Sequence, residues 1–79
     1  MAFKVLRSSE HYKKRQLTLH EEDNVLMCRI GMPPTIFPDL ESTMAAIDHT
    51  VEWASTRAGY TVLTECEYEI VETDEEPNV

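Results

Sequence analysis

Glycine is nearly missing from this chain: Gly31 and Gly59 are the only two in 79 residues, and they stand alone. That excludes a glycine-rich phosphate loop, which needs clustered glycines so that backbone N–H groups can close on a phosphate. Cysteine is as scarce. Cys28 and Cys66 lie far apart, each inside an apolar alternation, which predicts buried free thiols in a reducing compartment and no disulfide. No apolar run approaches the ~18 residues of a membrane-crossing helix, and the opening MAFKVLRSSEHYKKRQ lacks the apolar core of a secretory signal. These absences predict a soluble, cytoplasmic protein that does not engage membrane.

Cations are missing from most of the chain. Residues 1–15 hold Lys4, Arg7, Lys13, Lys14 and Arg15 against Glu10, a net +4, whereas residues 16–79 hold only Arg29 and Arg57 against fourteen acids, a net −12. A body so charged is repelled by nucleic acid and anionic lipid and attracted to basic surfaces. Direct nucleic-acid binding by the basic opening segment is therefore not expected, and those cations are read as partners for the acids.

Catalytic patterns are also lacking. His11, His20 and His49 with the two cysteines show no metal-ligand spacing. Asp48 and His49 are neighbours on one helix, so their side chains diverge, and no serine has a base nearby in sequence. A core made by one helix and a small sheet leaves little room for a cofactor. The sequence predicts a non-catalytic protein without cofactor or metal.

What is present is a good set of structural signals. Residues 2–7 form a plausible first strand. Residues 16–20 alternate, Glu21-Glu22-Asp23-Asn24 interrupts, and residues 25–30 resume an extended apolar run, which reads as a β-hairpin. Pro33, Pro34 and Pro38 make residues 31–38 a connecting loop. Asp39 is a good N-cap for a helix of about five turns, with Leu40, Met44, Ile47, Val51, Ala54 and Ala58 at helical spacing and Gly59 at its end. Residues 60–72 alternate, with Tyr60, Val62, Thr64, Cys66, Tyr68 and Ile70 on one face. The fold class is α+β: an antiparallel sheet of three or four strands with one amphipathic helix packed on one face, order β(β)βαβ. One domain spans 1–72, and 73–79 is an acidic, flexible tail.

The densest feature is residues 65–76, with seven acids in twelve positions and no base. Glu65, Glu67 and Glu69 share the open face of the last strand, Glu72, Asp74, Glu75 and Glu76 follow, and Glu41, Asp48 and Glu52 form a stripe on the helix. Neighbouring carboxylates ~6.7 Å apart repel by only ~0.6 kcal/mol in water, so ordinary cross-strand pairing to Lys13 or Arg15 would account for the row. Their number, however, exceeds the nearby cations. These ten acids, with Trp53 at the margin of the core as an aromatic anchor, are the expected partner-binding residues. In size, acidity and one-helix plan the chain resembles small phage-encoded inhibitors of host defence, anti-CRISPR proteins among them; the likeness is one of size and charge and lies in no residue motif. It implies an acidic inhibitor that covers the basic nucleic-acid-binding site of a partner protein. The alternative is a structural or assembly subunit, homodimeric or larger, whose acidity serves solubility.

Overall fold

The alternation of the first eight residues builds the centre of the fold. The computed structural model describes residues 1–79, with β1 (Ala2–Ser8), β2 (Arg15–Gln16), β3 (Thr18–Leu19), β4 (Leu26–Met27), α1 (Leu40–Ser55), a 3₁₀ turn (Thr61–Leu63) and β5 (Glu67–Thr73) in chain order. β1 is the middle strand of an antiparallel sheet of order β2-β1-β5, and β3 and β4 form a separate two-stranded ladder. One helix packs on this framework, so the architecture is the α+β arrangement that the periodicities predict.

Within β1 the phase of Phe3, Val5 and Arg7 faces the helix side. Val5, Leu17, Leu26 and Phe37 form the innermost cluster, against which Leu19, Ala46, Ile47 and Tyr68 pack. The hairpin turn lies where the polar run places it: the His20 N–H donates to the Val25 carbonyl and the Asn24 N–H to the His20 carbonyl, with Asn24 left-handed at φ 56°. The proline loop is clasped from both chain ends. Phe3 and Phe37 exchange backbone hydrogen bonds of 2.9 and 2.7 Å, the Ile36 N–H donates to Asn78 Oδ1, and Asn78 Nδ2 donates to the Pro34 carbonyl. Residues 73–79, expected as a flexible tail, thus return to the body at Asn78.

Asp39 caps α1 as its sequence position suggests. Its carboxylate accepts from the Ser42 N–H at 2.7 Å, and that bond, followed by the Ser42 side chain, holds the carboxyl below its ordinary range. The buried stripe of the helix differs from the predicted one. Leu40 and Met44 are exposed and Ala58 lies beyond the helix, while Ala54 is buried as expected and Thr43 and Thr50 are buried with it. A threonine tolerates this burial because its hydroxyl can donate to the carbonyl one turn back. Thr43 does so to Asp39 and Thr50 to Ala46, both at 2.7 Å.

Thr50 has a second role, since its hydroxyl oxygen accepts from the Leu26 N–H at 2.9 Å. The Leu26 carbonyl in turn accepts from Arg7 Nη1 at 3.0 Å. A strand of two residues makes few ladder bonds, and these two side chains complete its backbone pairing. Thr50→Val keeps the shape and strands a buried N–H, so we expect a loss of about 1–3 kcal/mol, read as a fall in Tm of roughly 5–20 °C, while Thr50→Ser retains most of the stability.

Residues 60–66 depart from the predicted strand. β1 ends at Ser8, and the chain then turns, with the Ser9 N–H donating to the Tyr12 carbonyl, so nothing remains for residues before Glu67 to pair with. Leu63 would also point outward in a continuous strand, whereas the 3₁₀ turn buries it to 1 % exposure. The thiols differ as well: Cys28 is exposed and Cys66 half-buried, and both are free. Cys28 follows a strand that ends at Met27, so the alternation that would have carried it inward stops one residue earlier.

Candidate protein-binding surface

The register of β5 determines where its carboxylates go. Glu67 and Glu69 lie opposite Ser8 and Leu6 on the sheet face away from the helix, and Val71 and Thr73 continue that face opposite Lys4 and Ala2. Tyr68, Ile70 and Glu72 take the other phase, opposite Arg7, Val5 and Phe3. The row of three expected on one strand face is therefore a row of two. Glu65 lies in the turn before β5, and Glu72 projects to the opposite face.

Neither Lys13 nor Arg15 neutralises this row. Lys13 Nζ donates to the Ser9 carbonyl. Arg15 is two strands from β5 and opposite Arg7, which puts it on the face away from Glu67 and Glu69. Lys14 takes the role instead: left-handed at φ 48°, it swings its ammonium to within 2.9 Å of Glu69 Oε1. Lys4, on the same open face, lies 3.8 Å from Glu75 Oε2. Both pairs are solvent-exposed and contribute little to stability. No lysine or arginine is within ion-pairing distance of Glu65, Glu67, Glu72, Asp74, Glu76, Glu41, Asp48 or Glu52. Pairing within the chain thus satisfies two of the ten expected site acids.

The ten are not on one surface. Glu41, Asp48 and Glu52 fall on one side of α1, nearly opposite the stripe of Thr43, Thr50 and Ala54 that is buried. They face away from the sheet, while Glu67 and Glu69 occupy its far side. Trp53 is half-buried, meets Tyr60 edge-on at 4.7 Å between ring centroids, and is covered by the Arg57 guanidinium at 4.3 Å. The ring is engaged within the molecule at the margin of the core. No known protein family, curated protein or solved structure matches this chain. Its functional reading rests on its own geometry.

That geometry includes a feature the charge pattern does not show. Phe3 exchanges backbone bonds with Phe37 and the Leu17 N–H donates to the Val5 carbonyl, so Phe3, Val5 and Arg7 turn their backbone groups away from β5. The alternation of an antiparallel ladder then aims the N–H and C=O groups of Tyr68, Ile70 and Glu72 outward from the sheet. None of them has a backbone partner, and β5 is a free edge. Natural sheets blunt such edges with charge. Here Glu67 and Glu69 stand along one side and Glu72 along the other.

Tyr68 ties the inner side of the edge to the body. Its hydroxyl donates to the Leu63 carbonyl at 2.7 Å, and burial pushes the phenol up to about 12 against the opposing influence of Arg7. Because the folded value lies above the ordinary 10.0, the stabilisation is complete below that pH. It is lost as pH rises toward about 12, where the unfolded phenol ionises first. Tyr68→Phe is expected to remove this alkaline dependence in a pH series of urea melts while lowering stability at neutral pH by about 1 kcal/mol.

Sequence reasoning missed Lys14 because a left-handed lysine carries no local signature. It also missed Arg7 as a core-phase residue, although a signal was there: Phe3, Val5 and Arg7 share one face of an alternating strand. No helix is long and apolar enough to cross a membrane.

Proposed function

We propose that this chain is a non-catalytic binding protein that engages a basic partner along the free edge of β5, and that in doing so it covers a surface the partner uses for nucleic acid. The observation that carries this reading is the combination of an unpaired strand edge with carboxylates on both of its sides. An extended Lys/Arg-rich segment added to β5 would gain main-chain hydrogen bonds from Tyr68, Ile70 and Glu72 and charge complementarity from Glu67, Glu69 and Glu72. A net charge of −8 adds long-range steering toward such a partner. The tail acids Asp74, Glu75 and Glu76 extend the same end of the strand, whereas the helix acids Glu41, Asp48 and Glu52 contribute through the overall field.

A second reading has its own support. β5 could pair with β5 of another copy about a two-fold axis at Ile70, making an assembly subunit whose acidity serves solubility. Salt separates the two. Screening weakens a contact between opposite charges and strengthens one between two bodies of −8.

The test is capture from a cell lysate on the immobilised chain at low salt, elution with rising salt, and then a measurement of duplex binding by the captured protein with and without added chain. The reading predicts salt-eluted capture and loss of duplex binding. A captured protein that holds its duplex equally well in the presence of the chain sinks the inhibitor role. A dimer that persists or tightens at high salt favours the assembly subunit.

A further inference from the structure

On the face opposite Glu67 and Glu69, the β1–β2 side of the sheet carries the reverse of the protein's overall charge. Arg7 and Arg15 are directly opposed residues of β1 and β2, so their side chains leave the sheet on the same side. Like charges directly opposite one another are unfavourable, and here no carboxylate relieves them: neither arginine has an acidic partner. Arg7 is the more costly of the two, being 9 % exposed with one hydrogen bond, from Nη1 to the Leu26 carbonyl. A guanidinium has five N–H donors. No Arg7 nitrogen is sealed away without a partner, and Arg7 and Arg15 together line a hollow of about 310 Å³.

The rest of that hollow is mostly apolar. Tyr12, Cys28, Ile30 and Val62, with Ser9, complete its wall, with no acid among them. Glu10 and Glu65 line only the adjoining depression. Ile30 is 98 % exposed at the rim, and Tyr12 and Val62 are about half exposed. Single exposed apolar residues are ordinary, but three around one pair of uncompensated guanidiniums are not. Arg15 is steadied over the Tyr12 ring at 5.1 Å and Arg7 by its bond to Leu26 and its place beside Tyr68, so both donors are held before any ligand arrives.

We infer that this hollow binds a carboxylate attached to a small apolar body, with Arg7 and Arg15 on the carboxylate and Ile30, Val62 and Tyr12 on the apolar part. Size and charge select that class. The volume is at the lower end for a ligand pocket, suited to a group the size of one amino acid. A body of −8 repels an approaching anion in proportion to the anion's charge, which favours a monoanion over a phosphate dianion or a polyanion. The same chemistry is offered by a free acylated amino acid and by the C-terminal residue of a polypeptide. This site is independent of the β5 edge.

The experiment is an NMR titration that follows the arginine Nε–H and backbone amide signals, using N-acetylphenylalanine and its amide as probes, then a short peptide ending in phenylalanine in its free and amidated forms. Binding of the acid at Arg7, Arg15 and Ile30 at least about tenfold tighter than the amide supports the site. Arg15→Gln should weaken it by about tenfold or more with the remaining spectrum unchanged. Arg7→Lys, which keeps the charge and removes the fork, should weaken it too, with a smaller risk to folding than Arg7→Gln. A peptide acid that binds much tighter than the acetylated amino acid assigns the site to polypeptide C-termini, and equal affinity assigns it to free carboxylates. The inference is overturned if the amide binds as well as the acid, if neither saturates, if Arg15→Gln binds normally, or if inorganic phosphate outcompetes the acid. Lysine replacement of Glu67, Glu69 and Glu72 should retain acid-over-amide binding at Arg7 and Arg15, tightened if anything by the lower net negative charge, whatever becomes of the basic partner.

Discussion

Lysine at Glu67, Glu69 and Glu72 together is expected to slow association with the proposed basic partner by about 10–1,000-fold at low salt and to flatten its salt dependence. Each substitution changes the charge by two units, so the chain goes from −8 to −2. The loss falls on both sides of the strand that offers the unpaired backbone groups. The fold should survive, because the one ion pair removed, Lys14 with Glu69, is exposed at both ends and such pairs contribute ~0–1 kcal/mol. The measurement is association rate at two salt concentrations, with the melting curve of each variant as control. A variant that melts like the original and associates at the original rate would remove the β5 edge from the interface. Replacing Glu41, Asp48 and Glu52 in the same way makes an equal change in net charge on the far side of the helix. It should lower the rate by a smaller factor, since it alters steering without touching the contact.

Leu26→Ala should be the most damaging single truncation in the core. The side chain is fully buried in the cluster with Val5, Leu17 and Phe37, and truncations of this kind cost about 2–5 kcal/mol. A domain of this length has on the order of 5–10 kcal/mol in total. At Leu26 the loss is compounded. The residue's N–H and C=O are held by Thr50 on the helix and Arg7 on β1, so a shift of β4 into the cavity would stretch both bonds. We expect a Tm at least about 10–20 °C lower, with the denaturant slope read alongside to detect loosening of the native state. Leu17→Ala, equally buried, is the comparison. A cost there that matches Leu26→Ala would mean that the two backbone bonds add nothing to the cavity term.

Elements defined by local chemistry were legible in the sequence, and those defined by distant partners were not. Asp39 before an apolar period marked the helix start, the Glu21–Asn24 interruption marked the hairpin, and three prolines marked the loop. The limits of β5 depend on where β1 stops, some sixty residues earlier in the chain, and no local alternation reports that. Thr43 and Thr50 were invisible as core residues because hydropathy scores a hydroxyl against burial, while the helix supplies the acceptor that removes the cost. The acidic character of β5 was readable, but its free edge was not, because the direction of a backbone group depends on which neighbour pairs first. For Arg7 the strand phase pointed inward and its charge pointed outward, and that contradiction marks the hollow it lines with Arg15.

The central strand of the sheet is the first segment of the chain, and its longest partner is nearly the last. β1 therefore cannot reach its full pairing on a growing chain until residue 73 has been made, and the hairpin and helix between them must wait with one side of β1 open. Closing that ladder joins positions separated by almost the whole chain, the kind of contact that slows folding relative to a helical bundle of equal size. Until it closes, β1 offers a second bare strand edge built from Ala2, Lys4, Leu6 and Ser8, so aggregation during synthesis should depend on how quickly the C-terminal segment arrives. Truncation before Glu67 would leave that edge open permanently.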